Sequence, residues 1–307
     1  MLRFAVELLP CLLLGLALGI WRPGLPARLA PPLVHWGVPI SMVGLLLRAG
    51  LHRDLALAAG LAACASGGGL LLIRLLPPLR QRLAAGTLQL GSVMGNTAYW
   101  GLPAALALLP AAALAHTISY DLVGTLVTWS VGPLLVEGSP ARPRPLLAAA
   151  LASPASRGLL LALLVQLTPW HQSLAALLWW PARGVLLLAL TLVGMRLGVL
   201  LSAGQAGRVG AASGGLVLAM ACKLLVLPSL LLLVTALLPL PELVGDAVVL
   251  QAAAPTAISV LLIGEAAEAR GRRGEAAPAA ALVLWSTLAA LVTVPLWGLL
   301  LVSLPPG

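Results

Sequence analysis

Long apolar runs, separated by short clusters of proline, glycine, arginine and acidic residues, make up almost the whole chain. A helix needs roughly 20 apolar residues to cross the hydrocarbon core of a bilayer. Ten runs approach that length: 5–21, 30–47, 55–76, 87–109, 113–136, 157–170, 174–200, 212–238, 245–264 and 278–302. The sixth is short for a full crossing and gains length only if it begins earlier, near Pro145. Alanine, leucine and glycine dominate the runs, and strict alternation of apolar and polar positions is rare. A transmembrane barrel would alternate, whereas a helix satisfies its backbone groups internally, as lipid demands. The pattern predicts an all-α polytopic membrane protein with ten transmembrane helices.

The longest polar interruption, EGSPARPR at 137–144, cannot continue a lipid-facing helix. It divides the chain into a first five-helix repeat (1–137), a cytoplasmic linker with the start of the sixth helix (138–156), and a second five-helix repeat (157–307). The halves match in order. VGLLLRAGL (43–51) pairs with LVGMRLGVL (192–200), IRLLPPL (73–79) with CKLLVLPSL (222–230), and LVTWSVGPLL (126–135) with LVTVPLWGLL (291–300). With five spans per half, the second half enters the membrane from the opposite side. That is a 5+5 inverted repeat, an arrangement common among secondary transporters.

Composition sharpens this picture. Hydrophobic residues make up 61% of the 307 and charged residues only 9%, against about 25% charged in a soluble domain. The mean hydropathy is +1.06, so the main partner is the lipid bilayer. The net charge of +9 comes from arginines scattered between spans. They form no dense basic domain, and no nucleic-acid partner is expected. Cys11, Cys64 and Cys222 lie in apolar runs without metal-ligand spacing and read as small buried hydrophobes. Neither a metal nor a cofactor is expected. Arg3 could open a signal peptide, but Glu7 and Pro10 interrupt it, so the first run reads as a retained helix.

The arginines also orient the chain. With the N-terminus outside, the cytoplasmic loops hold Arg22, Arg28, Arg74, Arg80, Arg82, Arg142, Arg144, Arg157, Arg196, Arg208, Arg270, Arg272 and Arg273. The opposite side holds only Arg3, Arg48, Arg53 and Arg183. This follows the positive-inside rule and puts both termini outside the cytoplasm. Seventeen arginines beside a single lysine point to GC-rich coding, and so to a bacterial inner membrane.

Candidate chemistry concentrates in the fourth and ninth spans, LQLGSVMGNTAYWGLPAALALL (88–109) and LQAAAPTAISVLLIGEAAE (250–268). Each carries a proline, Pro103 or Pro255, among small and polar residues. A mid-helix proline removes a hydrogen bond and clashes with the preceding turn, and nearby glycines turn a bend into a break. A break at bilayer depth is tolerated around a protein-lined cavity, where the N-terminus of a half-helix can hold an anion. The predicted binding residues are Gly95, Asn96, Thr97 and Pro103 in one span and Pro255, Thr256 and Ser259 in the other, with Gln89 and Gln251 further along. Lys223, deep in the eighth span, is expected to neutralise a substrate carboxylate or to pair with Asp121 or Glu7. Asp121 is a candidate carrier of a coupling proton, and Glu7 reads as solvated. His35, His52, His116 and His171 read as interfacial, and Trp21, Trp36, Trp170, Trp179 and Trp180 as membrane-surface anchors.

GNTAYWGLP (95–103) resembles the glycine-asparagine-threonine to glycine-leucine-proline motif of the auxin efflux carrier family. QAAAPTAISVLLIGEAAE (251–268) is similar to that family's second proline motif, and SYDLVGTLVTW (119–129) and WSTLAALVTVPLW (285–297) to its fifth and tenth helices. The resemblance implies scaffold and transport domains, a crossing of spans four and nine at their prolines, and carboxylate binding there. It also implies homodimers and elevator-type efflux of small organic anions, whether auxin-like carboxylates or dicarboxylates such as malate or malonate. Ser259 stands where the family often has asparagine. Two other readings remain open. A sodium-coupled bile-acid-type carrier would share the crossed, broken helices. An intramembrane aspartyl protease would use Asp121 and Asp246, but Leu243 stands where its second motif needs glycine. The chain is therefore read as a carrier and not an enzyme.

Overall fold

A computed structural model describes residues 2–50, 53–137, 153–203 and 213–304. Most of the linker, with Arg142 and Arg144, falls outside these residues, as do His52 and Arg208. The described chain is helical throughout and contains no β-strand. Its helices are α1 (Leu2–Trp21), α2 (Leu25–Ala49), α3 (Leu55–Leu75), α4 (Pro77–Arg82), α5 (Gly86–Gly91), α6 (97–108) and α7 (Leu114–Glu137). After the linker come α8 (Pro154–Gln166), α9 (His171–Ser202), α10 (Gly214–Leu237), α11 (Glu242–Ala252), α12 (Ile258–Ala269) and α13 (Ala276–Ser303).

Among the described residues six helices, α1, α2, α3, α9, α10 and α13, are long and apolar enough to cross a membrane. The protein is thus a multi-pass helical membrane protein. The other four expected spans are less simple. The fourth and ninth are each two short helices, the fifth is a helix of 24 residues, and the sixth has 13 described helical residues.

Prolines leave a readable mark on these helices. Wide π-turns occupy Leu33–Gly37, Thr97–Gly101 and Cys222–Val226, and each ends two residues before a proline, Pro39, Pro103 or Pro228. A proline ring clashes with the carbonyl one turn earlier. Widening that turn makes room for the ring and keeps the helix continuous. A fourth π-turn, Cys64–Gly68 in α3, has no such proline and ends in the glycine run GGG at 67–69. The π-turns at 64–68 and 222–226 give α3 and α10 a shared mid-helix irregularity, in a different register from the leucine match of 73–79 with 222–230.

Two groups of helices pack against each other. One is a panel of α1, α2, α8 and α9, with Met42, Leu45, Leu46, Ala162, Ala182 and Leu186 in its core. The other holds α3, α5–α7 and α10–α13 around Leu90, Trp100, Val248, Leu250, Val260 and Leu282. Within the panel, α1 and α9 meet through two small-residue faces, Gly15 with Gly19 and Gly194 with Gly198. A Cβ on any of the four would collide with backbone of the opposite helix: Thr191 and Met195 carbonyls on one side, Leu12 and Leu16 carbonyls on the other. Helices without a hydrophobic drive to associate in lipid gain contact this way. GLALG and GMRLG carried this signal in the sequence.

Acidic caps tie the second group together at one end. The Glu275 carboxylate accepts from the N–H groups of Gly86 (3.2 Å) and Thr87 (2.9 Å), which begin α5. The Thr87 hydroxyl donates to the Glu275 carbonyl at 2.9 Å. Glu268 in turn accepts from the N–H groups of Gly274, Glu275 and Ala276 at 2.9–3.1 Å, capping α13. Arg270 pairs with Glu137 at the end of α7. These caps place negative charge at two positive helix ends.

Three expectations need correction here. Cys64 is exposed, because it lies on a face of α3 that is turned away from the core. His116 is buried in the first turn of α7, since α7 begins inside the second group. Glu7 is one-quarter exposed and paired with Arg3 at 3.4 Å and Arg183 at 3.3 Å, because α9 runs alongside α1.

Candidate functional site

The fourth and ninth apolar runs of the sequence cross where both are broken. Helix α5 ends at Gly91 and α6 starts at Thr97, while α11 ends at Ala252 and α12 starts at Ile258. The five-residue breaks, 92–96 and 253–257, meet as an antiparallel bridge between Gly95 and Thr256. Asn96 N–H donates to the Pro255 carbonyl at 2.6 Å, and Ala257 N–H donates to the Met94 carbonyl at 3.1 Å. In the register that matches 92–96 with 253–257, each of these two bonds is the counterpart of the other.

The C-terminal ends of the two incoming half-helices are satisfied behind the crossing. The Thr256 hydroxyl donates to the Gly91 carbonyl at 2.9 Å, and the Lys223 ammonium donates to the Ala252 carbonyl. The Thr256 N–H is held by the Ser286 hydroxyl at 3.1 Å. Lys223 is fully buried, and its ammonium would lie 3.1 Å from a Cβ on Gly95. Glycine at 95 therefore leaves the space that the lysine needs. A cation at the negative end of a half-helix is favourable, which accounts for a buried lysine with no carboxylate partner among the described residues.

The N-terminal ends of the two outgoing half-helices face a cavity instead. It has a volume of about 160 Å³ and is lined at the crossing by Gly95, Asn96, Thr97, Ala98, Tyr99, Ala257, Ile258 and Ser259. Asp121, Thr125, Thr128 and Trp129 of α7 and Leu262 of α12 form further walls. Val34 and Val38 of α2, with Ser153 and Pro154 at the start of α8, close it from the panel. The cavity thus lies between the two groups of helices. The Thr97 hydroxyl donates to the Asp121 carboxylate at 2.6 Å. The Asn96 side-chain amide is 5% exposed and its Nδ2 has no protein partner. An unmade donor of this kind is costly unless a ligand or water completes it.

Of the predicted site residues, the cavity collects Gly95, Asn96, Thr97, Ser259 and Asp121. Pro255 and Thr256 belong to the crossing but not to the cavity wall. Pro103 lies in neither. It sits in the first turn of the α-helical part of α6, where the preceding π-turn absorbs it. The crossing is therefore at Gly95 and Thr256 and not at both prolines, because the glycine-serine stretch before Asn96 is where helix 86–91 gives way. Lys223 lies behind the crossing and pairs with neither Asp121 nor Glu7. Gln89 donates to the Leu83 carbonyl at 2.8 Å and Gln251 to the Thr117 carbonyl at 3.2 Å, so both serve the backbone. Asp246 lies near the start of α11 and does not line the cavity with Asp121. Tyr99, Trp129 and Val38 were missed. Only the periodicity of α7 could have pointed to Trp129, which lies two turns beyond Asp121.

No family model matches the chain, and no curated protein matches it.

Proposed function

We propose that the protein is a secondary carrier of small organic anions, working by elevator-type alternating access. In this reading it has ten spans in a 5+5 inverted repeat and lies in a bacterial inner membrane with both termini outside the cytoplasm. The single observation that carries the reading is the crossing. Two half-helix N-termini and the unpartnered Asn96 amide converge on one cavity between two groups of helices. Free N–H groups and positive dipole ends suit a carboxylate, and paired broken helices at a repeat interface are the usual seat of a transported anion. The reciprocal pair of backbone bonds across the crossing supports the inverted repeat. The resemblance to auxin efflux carriers at 95–103 and 251–268 points the same way.

The cavity favours one anion class over another. Among the described residues its wall contains no lysine, arginine or histidine, and Asp121 stands within it. A second substrate carboxylate would find no cation among the described wall residues and would meet that aspartate. The remaining wall is Val34, Val38, Tyr99, Trp129, Pro154, Ile258 and Leu262. This supports a monocarboxylate with an apolar body over a dicarboxylate. Asp121, held by Thr97, is the candidate coupling residue.

Thermal unfolding of the purified protein with indole-acetate, malate, malonate, succinate and taurocholate, each with and without sodium, tests this reading. A ligand that binds only the folded state raises the unfolding temperature. The expected outcome is stabilisation by indole-acetate, independent of sodium, with little effect from malate or malonate. Stabilisation that requires sodium would replace this reading with a sodium-coupled carrier. Stabilisation by no anion, at concentrations where the fold is intact, would overturn the anion assignment.

A further inference from the structure

The arginines that depart from the positive-inside pattern do not scatter. Three of the four, Arg3, Arg48 and Arg183, come together where α1, α2 and α9 meet at one end of the panel. Arg48 stacks on the Trp179 ring with its guanidinium 4.5 Å from the centroid. Arg183 approaches the same ring at 5.8 Å and the neighbouring Trp180 at 6.0 Å. Glu7, shared between Arg3 and Arg183, is the only carboxylate in contact with the cluster among the described residues. Arg48 has no carboxylate partner among them. Three guanidinium groups against one carboxylate leave two positive charges in excess. They sit beside Trp180, which is 72% exposed on a surface of apolar side chains.

A solvated loop has no need of this arrangement. Stacking on tryptophan holds a guanidinium plane in place with its N–H edge free. Such an edge matches a phosphate through paired hydrogen bonds. Arg3 opens α1 and Arg48 lies in the last turn of α2, at the depth of lipid headgroups, and Arg183 joins them from inside α9, whose first turns run past the end of α2. We propose that this cluster is a binding site for the phosphate of an anionic phospholipid, with Arg48 and Arg183 as its main ligands and the acyl chains lying along the apolar surface beside Trp180.

Native mass spectrometry of the full chain in detergent would test the site, with phosphatidylglycerol, phosphatidylcholine or inorganic phosphate added. Thermal unfolding would be followed in parallel. The expected result is retained phosphatidylglycerol and a rise in unfolding temperature of about 3 °C, with neither effect from phosphatidylcholine. Arg48→Gln, which breaks no ion pair, should lose at least one retained lipid and most of the shift, while Arg48→Lys keeps part of it. Arg80→Gln/Arg82→Gln, on α4, should bind as the wild type does. Equal retention of both lipids, or unchanged phosphatidylglycerol retention in Arg48→Gln, would overturn the site. A full shift from inorganic phosphate, with no further gain from the lipid, would overturn the lipid as its occupant.

Discussion

Asn96 and Lys223 are both polar, both buried and both within reach of the crossing, yet they do different work. The Asn96 amide is left open toward the cavity, whereas the Lys223 ammonium is committed to the Ala252 carbonyl. Asn96→Ala should therefore weaken ligand binding about tenfold, the worth of one hydrogen bond to a charged acceptor, with the unfolding temperature of the empty protein nearly unchanged. A thermal-shift titration reads both quantities. Lys223→Met should do the reverse, lowering stability by about 2 kcal/mol through an orphaned carbonyl and leaving affinity within about twofold. A tenfold loss of affinity in Lys223→Met would return the lysine to the substrate. Pro103→Ala should also leave affinity unchanged, since Pro103 does not line the cavity. The sequence made Gly95, Asn96, Thr97 and Ser259 legible because small and polar residues in an apolar span need a reason to be there. It did not foretell the bond of Lys223 to the Ala252 carbonyl, because depth along a helix says nothing about which side of the crossing a side chain faces. It missed Tyr99 and Trp129 because aromatic residues in a membrane helix have many ordinary uses.

At the level of helices, sequence patterning found where segments run but not how they are interrupted. Proline announced an irregularity in α6, and the chain met it with a π-turn at 97–101 while placing the break at 92–96. Two neighbouring faults thus looked like one. The α1–α9 seam rests on GLALG and GMRLG, whose four-residue spacing repeats on one helical face and went unread in the sequence. Because a Cβ at Gly194 would meet the Leu12 carbonyl, which cannot move aside, Gly194→Ala should destabilise the panel by about 2 kcal/mol or more. Gly60→Ala, with open space around the new Cβ, is the matched control and should be neutral or slightly stabilising. The caps were hidden because their partners lie far apart in sequence. Glu275→Ala removes a carboxylate from the first N–H groups of α5 and should cost about 1–2 kcal/mol, seen as a lower unfolding temperature.

Across the whole molecule, the panel and the second group of helices meet at the cavity but are held internally by different means. A close backbone seam fastens α1 to α9, while the crossing bonds and the Glu275 cap fasten α5, α6, α11, α12 and α13 to one another. If the carrier works as proposed, spin labels on the exposed faces of α1 and α9 should keep one separation with and without ligand. Labels on α9 and α12 should move apart or together by roughly 5 Å or more, as in other rigid-body closures. Equal constancy of both pairs would exclude the elevator motion. The crossing itself has a consequence for how such a protein can change over generations. The groups offered to a negative charge at 97 and 258 are mostly main-chain amides, which carry no genetic identity and do not titrate. If the cavity binds an anion as proposed, substitution at Val34, Val38, Tyr99, Trp129 or Leu262 can reshape the space around the ligand's body while the main-chain groups stay in place. On the proposed reading, descendants of this chain can therefore acquire new cargoes by trading wall residues alone, without rebuilding the part of the site that holds the charge.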